Sequence, residues 1–182
     1  RGGQFEYGIQ LALTAVLASP QFLFKVEQDP SPDDKDGVHT LNEFELATRL
    51  SYFLWSSMPD DELFELAGRN ELRANLEPQV RRMLADDKSV ALVENFAVQW
   101  LQLRNLELME PDRRLFREWN DGLRDDMLTE TKLFLQAVVR EDRSVLQLID
   151  ADFTFLNERL ARHYGIDGVR GDEFQRIGIG PT

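Results

Sequence analysis

Asp126 and Glu130 stand four residues apart, a spacing that sets both carboxylates on one face of any helix that contains them. Such a pair is the smallest set of hard oxygen ligands that a helix can offer a cation such as calcium or magnesium. Arg124 and Lys132 flank it, so the same charges also read as a solvated, internally paired surface. A second group of chemically capable residues gathers between Asp150 and Tyr164: Asp150, Asp152, Asn157, Glu158 and His163. Asp152 and His163 would form an acid–base dyad if the chain brought them within hydrogen-bond reach, about 3 Å. The competing reading is structural. Asn157 caps a helix through its side-chain oxygen on the Leu160 amide, Leu156 packs onto Ala161 from the position before the cap, and His163 lies near the far end, where positive charge suits the last carbonyls. His163 lies six residues past the cap, and that separation favours the structural reading.

The rest of the composition removes whole classes of chemistry. The chain has no cysteine, which excludes a thiol nucleophile, a Cys-ligated zinc, an iron–sulfur cluster and covalent c-type haem attachment within it. The only two histidines are His39 and His163. Neither lies three residues after a glutamate, so the Glu-x-x-His element of a di-iron bundle is missing. Met109 and Met127 are haem ligands in principle, but methionine ordinarily fills irregular core space. The aromatic residues Phe96, Trp100, Phe116, Trp119, Phe134, Phe153 and Phe155 likewise read as core before they read as a pocket. The net charge is −12, which repels phosphate backbones and anionic headgroups, so no nucleic-acid partner is expected.

Hydrophobic periodicity supplies the elements that must position these residues. Phe5 to Gln28 reads as a helix interrupted at Ser19-Pro20, because proline removes a donor and disfavours helix before it. Asp29 to Gly37 carries prolines, acids and a glycine with no apolar period; it lacks the calcium-loop pattern and reads as a linker. Thr40 and Glu43 have the spacing of a capping box, followed by Leu50, Phe53 and Leu54 as a buried face. Pro59, Asp60 and Asp61 suit the start of a helix running to about Arg69. Asn75 opens Leu76–Ala85. A helix from Lys88 to about Leu103 is expected to turn Leu92, Phe96 and Trp100 inward, against Phe134, Leu135 and Val138 of a long helix that Asn120 or Asp121 starts and that runs to Arg140. Asp142 caps a short piece through Leu148, Phe153–Leu156 is briefly extended, and Gly165 stops the last helix. The fold class is all-α, an irregular helical bundle of about seven to nine helices. The expected division is an N-terminal helix over 1–28, a linker over 29–39 and a helical domain over 40–182. No stretch is long and apolar enough for a membrane span.

Four segments carry a resemblance. They are Leu17-Ala18-Ser19-Pro20-Gln21-Phe22-Leu23-Phe24-Lys25-Val26-Glu27, the run from Leu46-Ala47-Thr48-Arg49 through Pro59-Asp60-Asp61-Glu62-Leu63, Phe96-Ala97-Val98-Gln99-Trp100-Leu101, and Asp152-Phe153-Thr154-Phe155-Leu156-Asn157-Glu158 through His163-Tyr164-Gly165-Ile166. Together they resemble the planctomycete-type domain-of-unknown-function family fifteen-ninety-two. The first helix resembles the tail of its neighbour, family fifteen-ninety-five. The resemblance implies a piece of a larger, exported protein, periplasmic or otherwise extracytoplasmic, often beside cytochrome c-like domains. The C-terminal part of the unit is expected to continue past this chain. It implies no cofactor here, a c-type haem elsewhere in the full-length protein, and other domains of the same polypeptide as partners. No activity and no catalytic residue travel with it.

Two readings of function stay open. One is a helical scaffold or docking module of such a haem-associated redox protein. The other is part of an oxidoreductase or polymer-degrading enzyme whose site other domains complete.

Overall fold

The computed structural model describes residues 2–24, 27, 40–112 and 114–179. The linker 29–39 and His39 lie outside the described residues. The chain forms two compact units, one of Arg1–Leu50 with Pro59–Ala74, the other of Ser51–Met58 with Asn75–Thr182.

The first unit holds α1 (Gly2–Leu17), α2 (Pro20–Leu23), the first part of α3 (Glu43–Trp55) and α4 (Asp61–Gly68). The expected break at Ser19-Pro20 is present: the Phe22 amide donates to the Ser19 hydroxyl and Pro20 takes the first helical position, where its missing donor costs nothing. The cap of α3 differs from expectation. The reciprocal box is Asn42 with Glu45, not Thr40 with Glu43: the Glu45 amide donates to Asn42 Oδ1 at 2.9 Å and the Asn42 amide to Glu45 Oε2 at 2.8 Å. Glu43 is diverted because its carboxylate accepts the Arg73 backbone amide at 2.9 Å. A long-range partner therefore took the residue that local spacing had assigned to the cap. In α4, Asp60 accepts the Leu63 amide at 3.0 Å, and Leu63, Leu66 and Ala67 are buried.

The second unit is built along α7 (Asp121–Arg140), whose start is capped by Asn120 accepting the Leu123 amide at 3.0 Å. The other elements are α5 (Leu76–Ala85), α6 (Val98–Trp100), α8 (Gln147–Asp150), α9 (Glu158–Tyr164) and two short strands, β1 (Phe153–Leu156) and β2 (Gln175–Gly178). Short 3-10 helices occur at Asp87–Ser89 and Leu103–Leu108. The mostly helical architecture matches the expected class. The strands pair antiparallel with Phe153 opposite Gly178 and Leu156 opposite Gln175. β1 stands where an extended segment was expected; β2 was not foreseen, because Gln175–Gly178 reads as loop. Asp142 does not cap α8. It adopts a left-handed φ of 49° and pairs with Arg81 at 2.7 Å.

The helix expected over Lys88–Leu103 is where periodicity fails most clearly. Leu92–Ala97 is a π-helix, in which each turn takes an additional residue. The inward positions become Val93 and Ala97, which form a core cluster with Leu135, while Phe134 and Leu148 pack against it. The helix pairing stands, with Leu135 and Phe134 taking part as expected, but the residues expected to face them do not: Phe96 is 49% and Trp100 59% exposed. Phe53, expected inside, is also exposed and meets Phe96 edge-on with ring centroids 5.8 Å apart. Trp55 is the buried aromatic instead, its indole N–H donating to the Met83 carbonyl at 2.9 Å.

Replacing Asn42 with Ala is expected to cost about 1 kcal/mol, the ordinary loss for such a cap. Replacing the exposed Thr40 is expected to cost under about 0.5 kcal/mol. Urea denaturation of both variants checks the reassignment; the opposite ranking would restore Thr40 as the cap.

Candidate functional site

Of the residues that sequence spacing marked for chemistry, Asp126 and Glu130 lie on α7, Asp150 ends α8, Asp152 directly precedes β1, Asn157 caps α9, and Glu158 and His163 lie on α9, all within the second unit. Asp126 and Glu130 do share one side of α7, yet they meet different fates. Asp126 is 6% exposed and is gripped by Arg159 of α9, whose Nε and Nη2 both donate to the carboxylate, the latter at 2.8 Å. The Asn157 side chain adds a further hydrogen bond. Arg159 foremost, with Asn157 in support, holds the Asp126 carboxyl below its ordinary value against the opposing effect of burial. Gly122, one turn earlier, lies so close beneath the Arg159 guanidinium that any Cβ there would collide with it. Glu130 has no such cation. It accepts hydrogen bonds from the Thr154 hydroxyl and, at 2.9 Å, from the Tyr164 hydroxyl. The two carboxylates therefore serve separate hydrogen-bond sets. Among the described residues no group of three His, Cys, Asp or Glu side chains could hold a metal.

Asp152 and His163 are not brought together. The Asp152 side chain is exposed, and its backbone carbonyl accepts the Ile179 amide at 2.7 Å, prolonging the strand pair. His163 turns the other way, its Nδ1 3.3 Å from Glu118 Oε2. Asn157 does what the structural reading required. It is 3% exposed, and its Oδ1 accepts the Leu160 amide at 2.9 Å. Leu156, Leu160 and Ala161 join one core cluster with Leu123 and Val169. Gly165, with φ 71°, ends α9 in the left-handed region that glycine occupies without strain. The neighbouring Glu158 accepts the Gly171 amide at 2.9 Å. That bond is the main reason its carboxyl titrates below the ordinary value, with Arg162 also contributing.

Two open clefts flank this framework. One, of about 670 Å³, is lined by Met109, Phe116, Trp119, Met127, Glu118 and His163 among others. Both methionines and the histidine thus border one apolar space; Met127 also packs on the core, as a filler would. The other, of about 540 Å³, runs between α7, α8 and β1, and Glu130 and Tyr164 line it. Burial foremost, then the negative Glu130, pushes the Tyr164 phenol above its ordinary value, so it stays a donor at neutral pH. Sequence reasoning missed Glu118, Thr154, Arg159 and Tyr164, because each gains its role from a partner tens of residues away.

The family described as PSD4: Protein of unknown function (DUF1592) matches residues 41–166, well over half of the chain. The chain belongs to this family. The matched part runs from the start of α3 through α9, so it contains Asp126, Glu130, Asn157 and His163; α1, α2 and β2 lie outside it. No curated protein and no solved structure matches the chain. Among the described residues no helix is long and apolar enough to cross a membrane.

Asp126→Asn is expected to destabilise by about 1–3 kcal/mol at neutral pH, the range for hydrogen bonds to a charged group. Because the folded-state value is depressed, the wild-type contribution is full above the ordinary carboxylate value of about 4 and fades as pH falls through the lower folded value. The two proteins should therefore converge in acid, which denaturation at a series of pH values measures. A gap that stays undiminished as the pH is lowered through the carboxylate range would remove the carboxylate from this role. Gly122→Ala should reproduce part of the same loss, despite the better helix propensity of alanine, because it displaces the guanidinium.

Proposed function

We propose that this chain is a helical docking module of a larger, exported, haem-associated redox protein, and that other domains of the same polypeptide cover its first helix. The observation that carries this reading is α1. Phe5, Ile9, Leu13 and Val16 follow one face at helical spacing, Tyr7 and Leu11 occupy the opposite side, and all six are exposed, Phe5 at 72%. A helix apolar on this many sides belongs in a protein interior, and an exposed apolar surface of this extent marks a contact. Its one charge is Glu6. It lacks the Lys and Arg with which an interfacial helix meets anionic lipid, and the net charge of −12 opposes such a surface too. The resemblance of the sequence to planctomycete-type domains supports the exported, haem-bearing setting. With no cysteine in the chain, a covalently attached haem belongs to another domain.

Hydrogen exchange tests the docking. The α1 amides are expected to exchange at least about a hundredfold more slowly in the full-length protein than in this chain alone. Equal rates reject docking. A full-length protein without a visible haem absorption band rejects the haem-associated setting.

A second reading, part of an oxidoreductase or polymer-degrading enzyme, has one observation in its favour: the His163–Glu118 pair borders an apolar cleft, the usual surroundings of a small-molecule site. Replacing His163 with Gln in the full-length protein should then lower turnover about a hundredfold or more, the range for a lost general acid or base. An unchanged rate rejects it.

A further inference from the structure

Among the described residues, Glu130 is a carboxylate without a counter-ion. Its two oxygens accept hydrogen bonds from the Thr154 and Tyr164 hydroxyls, which leaves about two of its four lone-pair directions open. Among the described residues no Lys, Arg or His forms an ion pair with it. The contrast with Asp126, one turn away and fully neutralised by Arg159, is direct. Two arginines do lie nearby, over the Phe153 ring at 4.6 Å for Arg143 and 3.9 Å for Arg176. Both are held by Glu141, whose carboxyl they keep below its ordinary value, Arg143 foremost. They do not compensate Glu130.

Glu130 lines the cleft of about 540 Å³, whose walls also include Phe134, Leu148, Phe153, Ile166 and Ile179. That volume falls in the range of small-molecule sites, roughly 300–1,000 Å³, which are characteristically apolar with a few placed polar groups. A half-buried anion in apolar surroundings gains most from a charged donor, since hydrogen bonds to an ionised group are about twice as strong as neutral ones. We propose that this cleft between α7, α8 and β1 binds a primary ammonium carried on an apolar stem, with Glu130 as its counter-ion. A metal ion fits poorly, because a single carboxylate faces the cleft and both neighbouring hydroxyls are committed as donors to it. At the mouth Ile149 is 89% exposed, a position to meet the stem. The ammonium has two sources, a free amine or the lysine side chain of a polypeptide. The proposal does not depend on α1.

The test uses the isotopically labelled 182-residue chain and follows the amide resonances of Thr154 and Tyr164 by NMR. The probes are 2-phenylethylammonium and its neutral counterpart 2-phenylethanol, then a capped leucine–lysine–leucine tripeptide and the same peptide with norleucine for lysine. The charged probes are expected to bind at least about tenfold more tightly than the neutral ones, and Glu130→Gln should remove that advantage. Glutamine removes the charge and retains an acceptor oxygen for one of the two hydroxyls. Should that variant fail to fold, Ile149→Lys places a like charge at the mouth on an exposed site and should weaken the ammonium at least about threefold. Tighter binding of the tripeptide than of the amine assigns the ammonium to a polypeptide; the reverse assigns it to a small amine. Equal affinity for charged and neutral probes, no resonance shift, or binding indifferent to the folded variants overturns the proposal.

Discussion

The ion pair between Asp126 and Arg159 is the contact around which the second unit is arranged. A carboxylate that is 6% exposed would be costly unless paired and hydrogen-bonded. Here two guanidinium donors and the Asn157 side chain supply those bonds. Because Asn157 also caps α9, one residue joins the buried charge to the helix that delivers the arginine. β1 ends at Leu156, immediately before that cap. Its position along α7 is therefore set by the same contact, and Leu156, Leu160 and Ala161 are carried into the core with Leu123. Gly122 belongs to the same arrangement, because a Cβ there would meet the Arg159 guanidinium and require it to shift.

With α9 held in this way, two clefts of different character open at successive positions along α7, one at Leu123 and Met127, the other at Glu130, Thr131 and Phe134. Toward the Met109–Trp119 segment the lining is mainly apolar, with a histidine–carboxylate pair at its border. Toward α8 and β1 the lining is also apolar, but Glu130 enters it with hydroxyl partners and no cation. Two carboxylates of like type and regular spacing thus take opposite roles, one structural and one lining an open cleft. The difference is whether an arginine from another element reaches them. The exposed apolar surface of α1 is a separate feature, within the first unit.

Much of the architecture was legible because it depends on neighbours in the chain. Ser19-Pro20, Asp60, Asn120, Asn157 and Gly165 all act at helix ends as their residue types require, since a cap needs only a side-chain oxygen and an amide two or three residues on. The errors occurred where a distant group competed. Glu43 was drawn from the cap to Arg73, and Asp142 turned to Arg81. A π-helix at Leu92–Ala97 replaced the expected Leu92–Phe96–Trp100 face with Val93 and Ala97. β2 was invisible because a short, polar edge segment becomes a strand only when a partner such as β1 is beside it.

Composition and local order alone determined that this is a helical, acidic, cysteine-free chain, where most of its helices begin and end, and that Asp126 and Glu130 share a face. They did so because helix periodicity, capping and net charge are short-range or additive properties. Only the tertiary structure decided that Asp126 is neutralised and Glu130 is not, that His163 meets Glu118 rather than Asp152, and which aromatic residues remain outside. Each of those outcomes depends on which side chain arrives from a separate element, and spacing along the chain holds no record of that.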